Sequence, residues 1–497
     1  MKEGALQVIA SPFAAGKQVA FSGGITAWLH GKDEAEQLKK WLTKGLHSIS
    51  AMGALKSAGF GRIIGVDAIQ YKAIKAISRM GKAADAGTGT GIEPDTFGRG
   101  IIIRPDRPFC FSRHLMGNNS ESIEEGRHDQ SGLDNQFVSE DYIPGGAIKG
   151  AIATLLRGAG KGYNLSASIK HPEYPLLSQY LDQLCINRAQ PSADPLPLPI
   201  TTVAADDPEG EKCLYDIALM QGAGLIHGQA PTFSIDWKGE TWKLAAEQCV
   251  LPAQPSRSLS IHTAIDSASG ASEDHKLFSI EAVEPEDDQG KYCWLANIVL
   301  PAEKEGGLPA ADQRKIFEEL TALLEEHGLH WLGKTGASAE VDVVDKLFRP
   351  PASSIAYTYT VGTVLTITLL SHARLLKPGQ IAEATSAHDT LFKASVDNWS
   401  ELSGDSLRLV DFYAAQELLG GEYWHKRYNI SKPYNPEIFT KPGSVFVVEV
   451  VKPEIAKRKL EDWQLCGLPQ LNGVSTDWRK NPWIRENGFG EIAVNLD

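Results

Sequence analysis

The sequence predicts an α+β protein assembled from repeated units, and three observations carry that expectation. The order helix, glycine-containing loop, strand occurs three times along the 497 residues. Short extended runs with alternating apolar residues are interleaved with stretches of helical periodicity, so neither element type dominates. The length calls for two to four domains, and an apolar content of 42% is enough to fill several cores.

Composition narrows the function classes. No run reaches the ~18 consecutive apolar residues of a membrane span, and the opening MKEGALQVIASPFAAG lacks a charged-then-apolar leader layout. No membrane partner is expected, and the cytoplasm is the expected compartment. The six cysteines (Cys110, Cys185, Cys213, Cys249, Cys293, Cys466) form no C-x-x-C pair, and the 13 histidines form no H-E-x-x-H pattern. Neither a disulfide framework nor a zinc ribbon is indicated. A net charge of −13 argues against a wholly basic nucleic-acid binder, but the charge is uneven. Residues 1–107 hold 15 basic against 9 acidic residues, leaving 34 against 53 for the remainder. A local cationic stripe on an acidic body fits that distribution.

In chain order, residues 18–29 alternate as an extended run, 34–49 have helical periodicity and 62–69 return as a strand. Between helix and strand lies MGALKSAGFGR, where Gly53, Gly59 and Gly61 with Lys56 and Arg62 make a cationic, backbone-rich loop. Such a loop holds phosphates through amides and charge together; the plainer reading is a flexible connection. Residues 80–98 are glycine- and alanine-rich and read as a linker. A strand follows at 100–104, then a polar stretch over 117–141, longer than ordinary connections.

That stretch leads into DYIPGGAIKGAIATLLR, residues 141–157. Pro144 fixes one backbone angle, Gly145 and Gly146 permit close approach, and Ala147 onward reads as a helix with Ile148, Ile152 and Leu155 on one face. A glycine-opened helix start offers amides to an anion, and Lys149 adds a charge, so a phosphate is the expected guest. The alternative is a loop-to-helix joint with a solvated lysine.

Residues 158–255 are proline-rich and irregular, with strand candidates at 198–203 and 232–237. Residues 258–288 read as a β-hairpin with a small polar tip. A strand (292–300), an amphipathic helix (311–328) and a second loop, LGKTGASAEVDVV (332–344), follow. Its Gly333, Lys334 and Gly336 echo the first glycine loop. A third segment begins after Arg349, Pro350 and Pro351, with strands at 364–370 and 444–451, a helix at 453–465 and the motif NGFGEI carrying Gly488 and Gly490. Its aromatics, among them Trp399, Trp463 and Trp483, read as core ahead of base-stacking surfaces.

Taken together these motifs resemble the RAMP superfamily, the RNA-binding subunits of type III CRISPR effector complexes. Ile143, Pro144, Gly145, Lys149 and Gly150 match its IPG-x-x-x-KG signature. The first loop matches its G-x-G-R ending. His262, Ala264, Ile265, Asp266, Leu277, Phe278 and Glu281 match its hTAID…LF-x-x-E hairpin. The resemblance implies several ferredoxin-like, RRM-type modules in a multi-module fusion of subtype III-D-like kind. Residues 1–79 would be the C-terminal half of one module and 80–98 a linker. Residues 99–350 would be a complete module with an insertion at about 160–255 and a thumb hairpin at 258–288, and 351–497 a divergent third module.

The implied function is to bind CRISPR guide RNA in the company of target RNA and other type III subunits. Pro144, Gly145, Gly146, Lys149 and the three glycine motifs would contact the RNA, with His262 and Asp266 on the thumb. The layout GLDNQFVSEDYIPG places Asp134 where the family carries an acidic residue for metal-dependent cleavage of target RNA. Asp134 would hold a divalent ion, Mg or Mn, with His128 and Asp129 assisting. Two other classes remain: a purely architectural RNA-binding subunit without an active site, and a metabolic enzyme whose glycine loops bind a phosphorylated small molecule.

Overall fold

A computed structural model of the chain describes residues 32–49, 63–65, 98–111, 136–157, 169–191, 197–206, 210–219, 237–247, 254–265, 272–287, 290–301, 308–348, 359–377, 380, 387–419, 437–478 and 480–495. The fold is mixed α and β with antiparallel sheets. In the opening region it shows a helix, α1 (Lys32–Ser48), where the sequence predicts one. The extended run 18–29, the first glycine loop and linker residues 80–97 lie outside the described residues, Gly98 opens β1, and of the predicted strand 62–69 only 63–65 are described and form no strand.

The first large sheet is built from β1 (Gly98–Pro105), β3 (Cys185–Ile186), β10 (Trp294–Val299), β11 (Leu329–Leu332) and β12 (Ala337–Val344), in the order β11-β12-β1-β10-β3. β1 is central because it reads IIIR: Ile101 and Ile103 are fully buried, while Ile102 and Arg104 face the other way. Helix α2 (Gly145–Arg157) and helix α5 (Ala310–His327) cover one face. Each does so with a stripe at helical spacing, Ile148, Ile152 and Leu156 on α2, where the expected Leu155 is only half-buried, and Ile316, Leu320, Leu323 and Leu324 on α5. In chain order the unit runs strand, helix, strand, strand, helix, strand, with β11 added at one edge.

The second sheet repeats that plan. Strand β13 (Val364–Leu369), helix α6 (Ala387–Ser403), strands β14 (Leu407–Tyr413) and β17 (Val445–Val450), helix α7 (Pro453–Cys466) and strand β18 (Ile492–Val494) give the order β14-β17-β13-β18. Numbered within each unit, both sheets read 4-1-3-2. Trp399 of α6 and Trp463 of α7 are both 1% exposed and meet at 6.1 Å over Phe446, so these aromatics are core.

A third, smaller sheet projects from the first unit. β2 (Gln136–Val138) pairs in parallel with β7 (Ser272–Val283), which pairs antiparallel with β6 (Arg257–Ile265), the expected hairpin. The stretch expected to be irregular contains helix α3 (Pro175–Tyr180), the pair β4 (Thr202–Asp206) and β5 (Lys212–Asp216), and helix α4 (Trp237–Glu247). The first strand candidate there is thus displaced to 202–206; of the second, 232–237, only Trp237 lies within the described residues, and it belongs to α4. Short pairs β8 (Glu286–Asp287) with β9 (Gly290–Lys291), and β15 (Gln416–Leu419) with β16 (Glu437–Thr440), complete the strands. The predicted second loop, 332–344, is instead a four-residue turn, 333–336, followed by strand β12. Among the described residues, no helix is long and apolar enough to cross a membrane.

Candidate nucleic-acid interface

The start of α2 is a junction between the two sheets. Ile143 bridges Ala189, after which Pro144 turns the chain so that Ala147 and Ile148 donate to its carbonyl at 2.9 and 3.2 Å. A Cβ on Gly145 would lie 1.9 Å from the Ile186 carbonyl oxygen and 3.0 Å from that of Asn487, so only glycine admits this approach. Gly146 faces the Asn487 side chain, and Gly488 lies against the backbone of 186–188. Glu491, 4% exposed, accepts the Arg188 backbone N–H at 2.9 Å. Arg188 itself lies over the Tyr142 ring at 4.9 Å. Gly490 packs inside the second unit, its N–H bonded to the His372 carbonyl and its carbonyl accepting from Leu468 N–H. The structure therefore sets the IPGG helix start against the chain's own third glycine motif.

Lys149 sits one turn in and is 9% exposed. Burial pushes its ammonium down to about 8, opposed by the charges of Cys185, Glu486 and Asp182. Beside it, Cys185 of β3 and Cys466 of α7 pack around Val299, and their mutual hydrogen bond together with burial raises the Cys466 thiol. Arg485, paired with Asp462 at 2.7 Å, closes this seam.

The second glycine turn behaves differently. Gly333 has φ 67°, and a Cβ there would lie 2.5 Å from the Cys110 carbonyl oxygen. The same carbonyl accepts the Lys334 N–H at 2.8 Å, and the turn closes with Gly336 N–H on Gly333 at 3.3 Å. This fixes the direction of Lys334, whose Nζ lies 3.4 Å from the centre of the Phe137 ring. Phe137 meets Phe278 edge-on at 6.0 Å, and Phe278 stacks on His262 at 5.2 Å and 14°. His262 is exposed, its Nε2 2.9 Å from Ser260 Oγ. A cation and three rings thus run from the glycine turn along the projecting hairpin.

The same sheet clamps both ends of segment 112–135. Phe111 donates its N–H to Ser139 Oγ at 3.0 Å and accepts from Glu140 N–H at 2.8 Å. Arg257 of β6 pairs with Asp141 and with Glu281 at 3.1 Å, and donates to the Ser139 carbonyl at 3.0 Å. The segment between these clamps carries His128, Asp129 and Asp134, which lie outside the described residues, as do Gly53, Lys56, Gly59, Gly61, Arg62 and Asp266. Among the described residues no group of three metal-ligating side chains gathers.

Of the expected site residues, Pro144, Gly145, Gly146, Lys149 and Gly488 come together at the junction, Gly490 packs against Leu468 within the second unit, and Gly333, Lys334, Gly336 and His262 share the hairpin side. Phe137 was not singled out from sequence. Its signal is the short apolar pair Phe137-Val138 inside a polar stretch, which marks a half-buried edge strand.

No protein-family model and no curated protein matches the chain. Solved structures that it resembles include a type III-B Cmr-beta chain bound to cognate target RNA and AMPPnP, at 12% identity and TM-score 0.35 over 80% of this chain and 100% of that one. A chain of a Csm3-Csm4 subcomplex of the type III-A CRISPR-Cas interference complex matches at 11% identity and TM-score 0.28, over 72% and 95%. The CRISPR endoribonuclease Cse3 bound to a 19-nucleotide RNA matches at 12% identity and TM-score 0.17, over 51% and 82%.

Proposed function

We propose that this chain is a guide-RNA-binding backbone subunit of a type III RNA-guided interference complex, built from ferredoxin-like modules. The observation that carries the reading is the line Lys334, Phe137, Phe278, His262. It joins a backbone-rich glycine turn to a hairpin through one cation and three rings. A lysine offers phosphate neutralisation without sequence preference, and rings offer stacking faces that every base can use. The shared 4-1-3-2 strand order supports the module assignment. The motif resemblance, which spans most of the chain, supports the family.

The segment between the Phe111 and Ser139 clamps would lie beside the bound strand, and cleavage of target RNA at Asp134 is the second part of the proposal. A divalent ion held there would stabilise charge developing on phosphorus. A second reading, an architectural subunit without cleavage, is favoured by the junction of Gly145 with Asn487, which uses a signature glycine for packing between sheets.

The test is to purify the full chain with its native neighbours and sequence the RNA that accompanies it. Short RNAs with repeat-derived ends and varied middles are expected; a stoichiometric complex free of RNA overturns the function. In the same complex Asp134→Ala is expected to abolish cutting of target RNA at one position while leaving guide content unchanged. Undiminished cutting selects the architectural reading of this chain.

A further inference from the structure

Trp331 stands in a place that neither packing nor solvation explains. Its backbone is left-handed, φ 59°, a region that costs an L-residue about 1–2 kcal/mol, yet its side chain is 58% exposed. The residues on either side of its pair, Leu329 and Leu332, are buried at 0% and 1% and anchor the strand. Between them the β11–β12 register shifts, so one extra residue must be thrown outward. Glycine or asparagine would satisfy that backbone at lower cost. The ring instead leans edge-on against His330 at 5.7 Å, and His330 is itself pinned by Ser338 Oγ, 2.9 Å from its Nδ1. The indole is strained, propped and open.

Its surroundings limit what it meets. The outward residues of the neighbouring strand include Glu340 and Asp342, both exposed, so among the described residues the strand beside Trp331 presents carboxylates and not an apolar patch of the sort that buries a protein partner. Two residues on, Gly333 begins the turn that delivers Lys334. We propose that Trp331 is a stacking platform for an unpaired nucleobase of the strand whose phosphate Lys334 neutralises. This rests on the RNA-binding reading above and extends that site onto the outer edge of the first sheet. An indole propped by one imidazole in polar surroundings suits a base, which is flat on its faces and wet at its edges.

The experiment uses the full chain and a fluorescein-labelled oligouridine, read by anisotropy. Trp331→Ala is expected to weaken binding roughly 5- to 100-fold with the salt dependence unchanged, and Trp331→Phe to retain most of the affinity. Trp331→Gly removes the ring and the backbone strain together, so it is expected to bind as weakly as Trp331→Ala while melting no lower than the parent. Parent-like binding by Trp331→Ala, or a Trp331→Gly protein that melts well below the parent, overturns the assignment. Failure of the parent itself to bind oligouridine is a different outcome, and it removes the RNA-binding reading along with this one.

Discussion

The Lys334 ammonium rests 3.4 Å from the centre of the Phe137 ring, tying the second glycine turn to the strand that follows segment 112–135. A cation held over a ring at a partly exposed site contributes about 0.5–2 kcal/mol and keeps its charge available to an anion on the open side. The two partners should therefore be separable by salt. Lys334→Gln is expected to weaken RNA binding and to reduce the slope of log affinity against log salt by about 0.7–0.9, one phosphate's share. Phe137→Leu is expected to weaken binding with the slope intact. Equal slopes for Lys334→Gln and the parent across roughly 50–200 mM salt would show that Lys334 faces no phosphate.

Neighbouring glycines at the start of α2 should respond oppositely to the same substitution. In Gly145→Ala the new methyl would meet the Ile186 carbonyl at 1.9 Å, and backbone must move to relieve it. A loss of about 3 kcal/mol or more is expected. In Gly146→Ala the nearest atom is the Asn487 Cβ at 3.4 Å, an ordinary contact, and alanine is the better helix former by about 1 kcal/mol. That variant should be neutral or stabilised. Urea midpoints of the two variants decide the matter, and matching midpoints would contradict the seam between the sheets.

Lys149 gives a pH signature. Its pKa is lowered to about 8 by burial, against roughly 10.4 in the unfolded chain. Between those values the unfolded state binds the extra proton, so the charging penalty is present in full below pH 8 and disappears as pH rises through about 10.4. Lys149→Met is expected to be more stable than the parent by roughly 1–3 kcal/mol at pH 7, with the gap shrinking above pH 8. Should Lys149 hold a phosphate of bound RNA, binding would restore its charge, and parental affinity would fall between pH 7 and 9 while that of Lys149→Met stays flat.

Those elements whose burial follows a simple period were legible in the sequence. The IIIR run of β1 and the stripes of α2 and α5 each bury one regular face, and the hydrophobic pattern reports it directly; the hairpin strands are legible from alternation alone, although Leu259 and Ile261 of β6 are exposed. Helix α6 leaves a weak signal in the sequence because its stripe is interrupted by polar residues that the fold then satisfies. Asn398 is 2% exposed and donates to the Leu375 carbonyl at 2.8 Å, and Ser395 bonds back to Leu391 at 2.8 Å. Strand β14 was missed because its register shifts between Leu409 and Asp411, which breaks the alternation. The seam at Gly145 had no side-chain signal at all, since it rests on carbonyl oxygens of Ile186 and Asn487. Sequence pointed to the glycine and to the helix start, but backbone partners leave no residue type by which to name them. On the hairpin side, the sequence marks His262 and Lys334 separately, and the rings linking them come together because β2 lies in parallel beside β7.

The hydrogen bond from the Arg188 N–H to Glu491 spans 303 positions of sequence. A ribosome adding about 5–20 residues per second needs at least some 15 seconds to bring the second partner out after the first. In the later half of that interval, once β12 has emerged, the first sheet has all its strands and helices and is free to fold while the mouth of α2 and the short strand β3 stand uncovered. Emergence of the second sheet then places a ready-made cap on that mouth. The molecule thus carries in its own chain order a waiting period in which its signature helix is open to other molecules, and a moment at which that opening closes.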